Sequence, residues 1–261
     1  MPSILKQILK RKKQEIELAK KKQPRDALLK YIKKQRYVRR DFKNCICKQG
    51  RICIIGELKK TSPSKGYLNK GLKLQQTAKI YARSGIDAIS VLTDCAFAGR
   101  LEDIGTVRAA VKVPILRKDF IIDEYQLYQT RLLGADAVLL IAQILEKTVL
   151  AKLLKLAKKL GLDVLLEIHK KEDLKKIDFG LAEIIGINNR DLNNFDVDIH
   201  TTQRLIKKIP KSKIIVSESG INSREHLEHL HRLGVSAALI GEALITSGDV
   251  ALKIKALAGK R

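Results

Sequence analysis

The feature that most constrains this chain is a series of short, nearly continuous apolar runs at residues 52–58, 88–93, 113–116, 137–141, 163–168, 184–187, 214–217 and 237–240. Runs of that kind mark strands buried on both faces. Amphipathic stretches separate them. Across 148–160, Val149, Leu150, Leu153, Leu154, Leu156, Ala157 and Leu160 form one broad stripe with lysines opposite, and Gly161 stands where a helix cap belongs. Asp123 with Gln126, and Asn222 with Glu225, each read as an N-cap with its reciprocal partner three residues on. Eight strand-helix repeats predict an α/β fold, one closed (β/α)8 TIM barrel over residues 51–261. An open doubly wound sheet would need a glycine-rich phosphate turn after its first strand, and the segment there is Lys59-Lys60-Thr61-Ser62-Pro63-Ser64.

Residues 1–50 read as a basic N-terminal helical extension packed on that barrel. Residues 1–44 hold 16 Lys and Arg against 4 Asp and Glu, a net of +12 and half of the chain's formal +24. Ile4, Leu5, Ile8, Leu9, Ile16, Leu18 and Ala19 recur at roughly helical spacing, and Pro24 interrupts before a second helical stretch from Asp26. At 45% hydrophobic residues, a chain of 261 can bury a substantial core. No apolar run reaches the ~20 residues of a bilayer span, and no signal core follows the basic start, so a cytoplasmic protein without a membrane partner is expected. Cys45, Cys47, Cys53 and Cys95 make neither a disulfide scaffold nor a zinc pattern. Aromatic residues for base stacking are nearly absent from the basic segment, which argues for a solvated face or attraction of small anions and against nucleic acid. His226, His229 and His231 cluster with Glu225 and Glu228 on the helix after the seventh run, remote from a barrel mouth, and no metal is expected.

In such a barrel the chemistry sits at the carboxyl ends of the strands. Those ends are polar here. Period two puts Glu57 and Lys59 on the side of Ile55, and Lys118 in phase with Leu116; later strands end at Glu167, Asn188 with Arg190, and Glu218 with Ser219. One charged residue at a strand end is often just the first solvated residue of a loop. Five strands ending this way converge three carboxylates and two ammonium groups on a partly dry mouth, the setting for acid and base work. Gly220 and Gly241 follow the last two strands just before helices, where backbone N–H groups can reach an anion; the plainer reading is that they allow tight turns.

The runs Glu57-Leu58-Lys59-Lys60-Thr61-Ser62-Pro63-Ser64-Lys65-Gly66, Leu116-Arg117-Lys118-Asp119-Phe120, Gly186-Ile187-Asn188-Asn189-Arg190-Asp191-Leu192, Ser217-Glu218-Ser219-Gly220-Ile221 and Leu239-Ile240-Gly241 closely resemble the indole-3-glycerol phosphate synthase family of tryptophan biosynthesis. The likeness spans the chain from Pro2-Ser3-Ile4-Leu5 onward. It implies a lyase that needs no metal or cofactor. The substrate would be 1-(2-carboxyphenylamino)-1-deoxyribulose 5-phosphate, closed to indole-3-glycerol phosphate with loss of carbon dioxide and water. By the same resemblance Lys118 matches the ammonium acid at the ketone, and Lys59 a second lysine that neutralises the substrate carboxylate or protonates the departing hydroxyl. Glu167 and Glu57 match carboxylates that take up protons and stabilise the cationic intermediate. Asn188, Glu218 and Ser219 match polar groups that orient the substrate, and Arg190 a guanidinium suited to a carboxylate. Phe97, Phe120 and Leu192 would form the apolar slot for the anilino ring, and Ser62, Gly220, Gly241 and the backbone of Glu242 the phosphate set. The chain departs from the family at Cys95-Ala96-Phe97-Ala98-Gly99-Arg100, a loop one residue short, so the placement of Phe97 is the point to check.

Two rivals differ in what they need. A phosphosugar isomerase on the same barrel would want a Cys and Asp pair at early strand ends, and a polyanion-binding protein would use the charge of +24 and leave the mouth idle. A small phosphorylated substrate and a monomer or weak homo-oligomer are the expected partners.

Overall fold

A computed structural model describes residues 4–35, 38–62, 66–68, 71–192 and 196–259. Pro2 and Ser3 of the opening motif, Pro63-Ser64-Lys65 of the first loop and the side chain of Ser62 lie outside the described residues. Eight parallel strands form a closed barrel. They are β1 (Cys53–Leu58), β2 (Ala88–Leu92), β3 (Ile115–Lys118), β4 (Ala137–Ile141), β5 (Asp163–Ile168), β6 (Ile184–Asn188), β7 (Ile214–Glu218) and β8 (Ala237–Ile240). Each pairs with its chain neighbours, and β8 closes on β1 in the register Cys53 with Ala237 through Gly56 with Ile240. Helices α1 (Ile4–Lys22), α2 (Arg25–Lys34) and α3 (Phe42–Cys45) precede the barrel; α4 (Leu74–Ser84), α5 (Glu102–Ala110), α6 (Glu124–Leu133), α7 (Lys147–Lys159), α8 (His200–Ile206), α9 (Arg224–Arg232), α10 (Glu242–Ile245) and α11 (Val250–Ala258) belong to it.

Several boundaries differ from the sequence expectation. The third strand begins after Pro114 and runs on through Arg117 and Lys118, which pair with Val91 and Leu92. Likewise β6 and β7 extend to Asn188 and Glu218, paired with one another. An apolar pattern stops at the first polar side chain, whereas the backbone ladder continues wherever that side chain finds a partner. Helix α6 opens on the predicted Asp123 and Gln126 capping box, but α9 starts one residue later than expected, on Ser223, whose hydroxyl accepts from the His226 amide at 3.3 Å. After β5 the connection is a 3-10 turn, Lys171–Lys176, rather than an α-helix.

Alternation along the strands sorts their side chains. Ile55, Leu116, Leu139, Leu165, Val216 and Leu239 share one buried interior cluster, while Ile54, Ile115, Val138, Leu166 and Ala238 join the layer under the helices. In α7 the predicted stripe is buried at Leu150, Leu153, Leu154 and Ala157. The N-terminal helices cover both ends of the interior. Phe42 and Ile46 belong to the interior cluster, and Lys43 N donates to Asp163 at the start of β5, which puts α3 at the amino end. At the other end, Ile8 of α1 joins the same cluster as Phe120, with Phe97 and Leu192 packed against it. No helix among the described residues is long and apolar enough to cross a membrane.

Candidate active site

The period of two that buries Ile55 and Leu116 carries four ionisable groups into the mouth at the next level up. Lys118 Nζ lies 2.7 Å from Glu218 Oε2, 3.5 Å from Glu167 Oε2 and 3.9 Å from Glu57 Oε2. Lys59 Nζ stands 3.3 Å from Glu57 Oε1. Two interior glycines make this crowding possible. A Cβ at Gly186 would sit 2.4 Å from Glu218 Oε1, and one at Gly241 would sit 2.5 Å from Glu57 Oε1. Gly241 therefore has a steric task beside its expected place in the phosphate set.

Burial and charge act against each other on these groups. Burial alone would lower the Lys118 pKa, but Glu218, Glu167 and Glu57 outweigh it and hold the proton on the ammonium. For Glu167, burial pushes the carboxyl up, and Lys118 together with His169 overcomes it, so the group stays ionised. Glu218 goes the other way, raised by burial and by the neighbouring Glu167 despite its contact with Lys118. Two carboxylates in one dry pocket do not both ionise freely, and the odd proton of the cluster rests toward Glu218.

Around this centre the mouth divides into two adjoining cavities. The first is lined by Phe97, Phe120, Leu192 and Ile141 as well as by Lys118, Glu167 and Asn188. The second is lined by Gly220, Gly241, Glu242, Thr246 and Lys253; both share Glu57, Lys59, Arg190 and Ser219. Despite the short loop, Phe97 reaches the slot. It ends a 3-10 turn capped by Asp94, which accepts from the Ala96 amide at 2.8 Å. The loop after β7 turns through two left-handed residues, Ser219 at φ +68°, which is strained, and Gly220 at φ +77°, which as a glycine is not. Ser219 Oγ donates to Asn188 Oδ1 at 2.8 Å, and Asn189 Nδ2 donates to the Ser219 carbonyl at 3.0 Å. Arg190 lies 3.8 Å from Glu242 Oε2.

The sequence reading missed a second buried cluster beside the first. Lys12 Nζ contacts Asp94 at 2.6 Å, Glu15 at 2.8 Å and Asp119 at 3.0 Å, while Arg11 meets Asp94 and Arg117 meets Asp119. Burial would raise the Asp119 pKa, but Arg117 and Lys12 outweigh it and hold the carboxyl down at about 2. A signal was present in α1: Ile8, Lys12 and Ile16 are spaced by four and all buried, so one lysine of a lysine-rich helix occupies its apolar stripe. His169, two residues beyond Glu167, brings its Nε2 to 3.2 Å from Glu167 Oε1. Among the described residues no three His, Cys, Asp or Glu side chains are grouped to hold a metal, and the four cysteines are free thiols.

Comparison with known proteins agrees with this architecture. At the level of fold alone, the 3-hexulose-6-phosphate synthase of Salmonella typhimurium superposes with a TM-score of 0.65 at 15% identity, over 80% of this chain and 97% of that one. The indole-3-glycerol phosphate synthase of Caldanaerobacter subterraneus subsp. tengcongensis is 47% identical over 251 residues, 96% of each chain. That of Campylobacter jejuni subsp. jejuni is 43% identical over 256 residues, 97% of this chain and 99% of its own. The family model for indole-3-glycerol phosphate synthase matches residues 5–257. The chain belongs to the indole-3-glycerol phosphate synthase family.

Proposed function

We propose that the mouth described above closes the indole ring of 1-(2-carboxyphenylamino)-1-deoxyribulose 5-phosphate. The observation that carries this reading is Lys118, ammonium in form and within 3.9 Å of three carboxylates, between an aromatic slot and a separate glycine-lined cavity. The anilino ring lies between Phe97, Phe120 and Leu192, and the phosphate sits by Gly220, Gly241 and the Glu242 backbone; the family resemblance adds Ser62 to that set. Holding the two ends apart brings the carboxyl-bearing ring carbon against the ketone. Lys118 donates a proton to the ketone oxygen as the ring carbon attacks. Because the developing alkoxide is a stronger base than the amine, a firmly held ammonium proton still transfers there.

The new carbon–carbon bond leaves a cationic ring system, which Glu167 and Glu57 stabilise. Carbon dioxide departs and its bonding electron pair returns to the ring. The hydroxyl made from the ketone is then protonated, leaves as water, and a final proton loss restores the aromatic indole. Lys59 either neutralises the substrate carboxylate or protonates that hydroxyl; both acts suit a lysine in contact with Glu57. Asn188, Ser219 and Glu218 orient the sugar chain, and Arg190 serves a carboxylate. We place the enzyme in the cytoplasm as a monomer or weak homo-oligomer. Incubation with the carboxyphenylamino-deoxyribulose phosphate tests the reading through indole fluorescence, which reports product alone because the chain has no Trp. Product should accumulate with one equivalent of carbon dioxide; an unchanged substrate would refute it.

A further inference from the structure

One buried titratable side chain at the mouth has no part in the steps above. The His169 ring is 6% exposed, its Nε2 is 3.2 Å from Glu167 Oε1 as a charge contact, and neither ring nitrogen has an aligned hydrogen-bond partner among the described residues. The backbone beneath it is fixed, since the His169 and Lys170 amides both donate to Asp173 Oδ2, at 2.9 and 3.1 Å. The distances suggest what the ring does. Among the described residues Lys118 is shared by three carboxylates and lies nearer Glu218 than Glu167, so a second cationic partner would help Glu167 stay ionised while the odd proton rests toward Glu218. A buried charge is unfavourable unless it is paired.

We propose that His169 is a positioning residue whose imidazolium pairs through Nε2 with Glu167 Oε1, keeping Glu167 ionised and aimed at Lys118. This rests on the ring-closure reading and adds to it a group that touches no substrate. The groups facing the ring are Glu167 on β5, Asp173 on the following turn and Glu218 on β7, with Lys118 of β3 beyond Glu167; Glu172 and Arg190 line the cavity behind it. Burial lowers the imidazole pKa, and Glu167, Asp173 and Glu218 together outweigh it, so the net shift is upward. A raised pKa means the imidazolium is present at lower pH and is lost as pH rises through its folded value. The effect on turnover is therefore a decline on the alkaline side.

The test compares His169→Gln, which keeps a donor near the Nε2 position but cannot titrate, with His169→Leu, which keeps bulk alone. His169→Gln should hold kcat within a few-fold of the parent at its plateau and lose the alkaline decline that His169 causes. His169→Leu should lower kcat by about ten- to a hundredfold with a smaller change in KM, the size expected for a misaimed carboxylate. If both variants keep the parent's pH profile and kcat, the proposal is overturned. Should either fail to fold, the imidazole resonance of His169 in the parent decides: it should titrate above the ordinary ~6.5 and fall back in E167Q. Titration at or below the ordinary value overturns the proposal. A parent that makes no indole while its His169 still titrates high would sink the ring-closure reading and leave the Glu167 pairing standing.

Discussion

Three consecutive residues of one strand end feed two buried charge clusters of different character. Arg117 and Asp119 point to one side, where Arg11, Lys12 and Arg117 meet Asp94, Glu15 and Asp119, three cations against three anions. Lys118 points to the other, where two ammonium groups face three carboxylates, one of which, Glu218, is pushed up by burial and by Glu167. The first cluster is closed in charge: Lys12 Nζ lies within 3.0 Å of all three carboxylates, and the cluster ties α1 to the ends of β2 and β3. Its carboxylates also hold the backbone of the slot, since Asp94 caps the turn bearing Phe97 and Asp119 accepts from the Phe120 amide at 2.8 Å. The second is open, with its odd proton resting toward Glu218. Closed charge clusters fix structure, and open ones are where protons move.

The largest effect expected on the open side is from Lys118→Met, which keeps most of the aliphatic stem and removes the charge and donor. kcat should fall by about 10²- to 10⁴-fold, as for a positioned acid, with the fold retained as the carboxylates left behind take up protons. On the closed side, Lys12→Met leaves Asp94 and Asp119 with less compensation. Removing one partner of a buried pair typically costs about 3–5 kcal/mol, so denaturant unfolding should show a loss of that order while kcat changes far less than in Lys118→Met. Equal losses of kcat in the two variants would erase the distinction between the clusters. Gly241→Ala is a smaller push on the open cluster, because the new Cβ displaces Glu57; kcat should drop by about tenfold or more. Gly220→Ala strains a left-handed residue beside the second cavity by roughly 1–2 kcal/mol and should act on KM instead. The smallest effect is that of salt. Basic surroundings should steer a doubly anionic substrate, so kcat/KM falls several-fold as ionic strength rises while kcat changes less.

The barrel was legible because parallel strands buried on both faces have to be continuous apolar runs, and eight of them with amphipathic spacers leave one closed arrangement. Strand-end phase made Glu57, Lys59 and Lys118 legible, since period two needs only one interior reference, Ile55 or Leu116. Long-range pairing was not legible. Lys12 reaches Asp94 and Asp119 across the fold, and nothing local to a lysine-rich helix distinguishes it except its place in the apolar stripe. Gly241 read as a phosphate turn because the sequence cannot show that its missing side chain makes room for Glu57. The α9 cap moved from Asn222 to Ser223 because both residues can cap and only geometry chooses the oxygen that reaches the third amide.

The contrast between the clusters is tested most directly by the rate of ring closure in a single turnover, enzyme in excess and saturating, for Lys118→Met and Lys12→Met at a temperature where both are folded. The expected result is closure about 10²-fold slower or worse in Lys118→Met, and within about tenfold of the parent in Lys12→Met. Closure at the parent's rate in Lys118→Met, or an equal loss in both variants, would contradict the assignment of the chemistry to the open cluster.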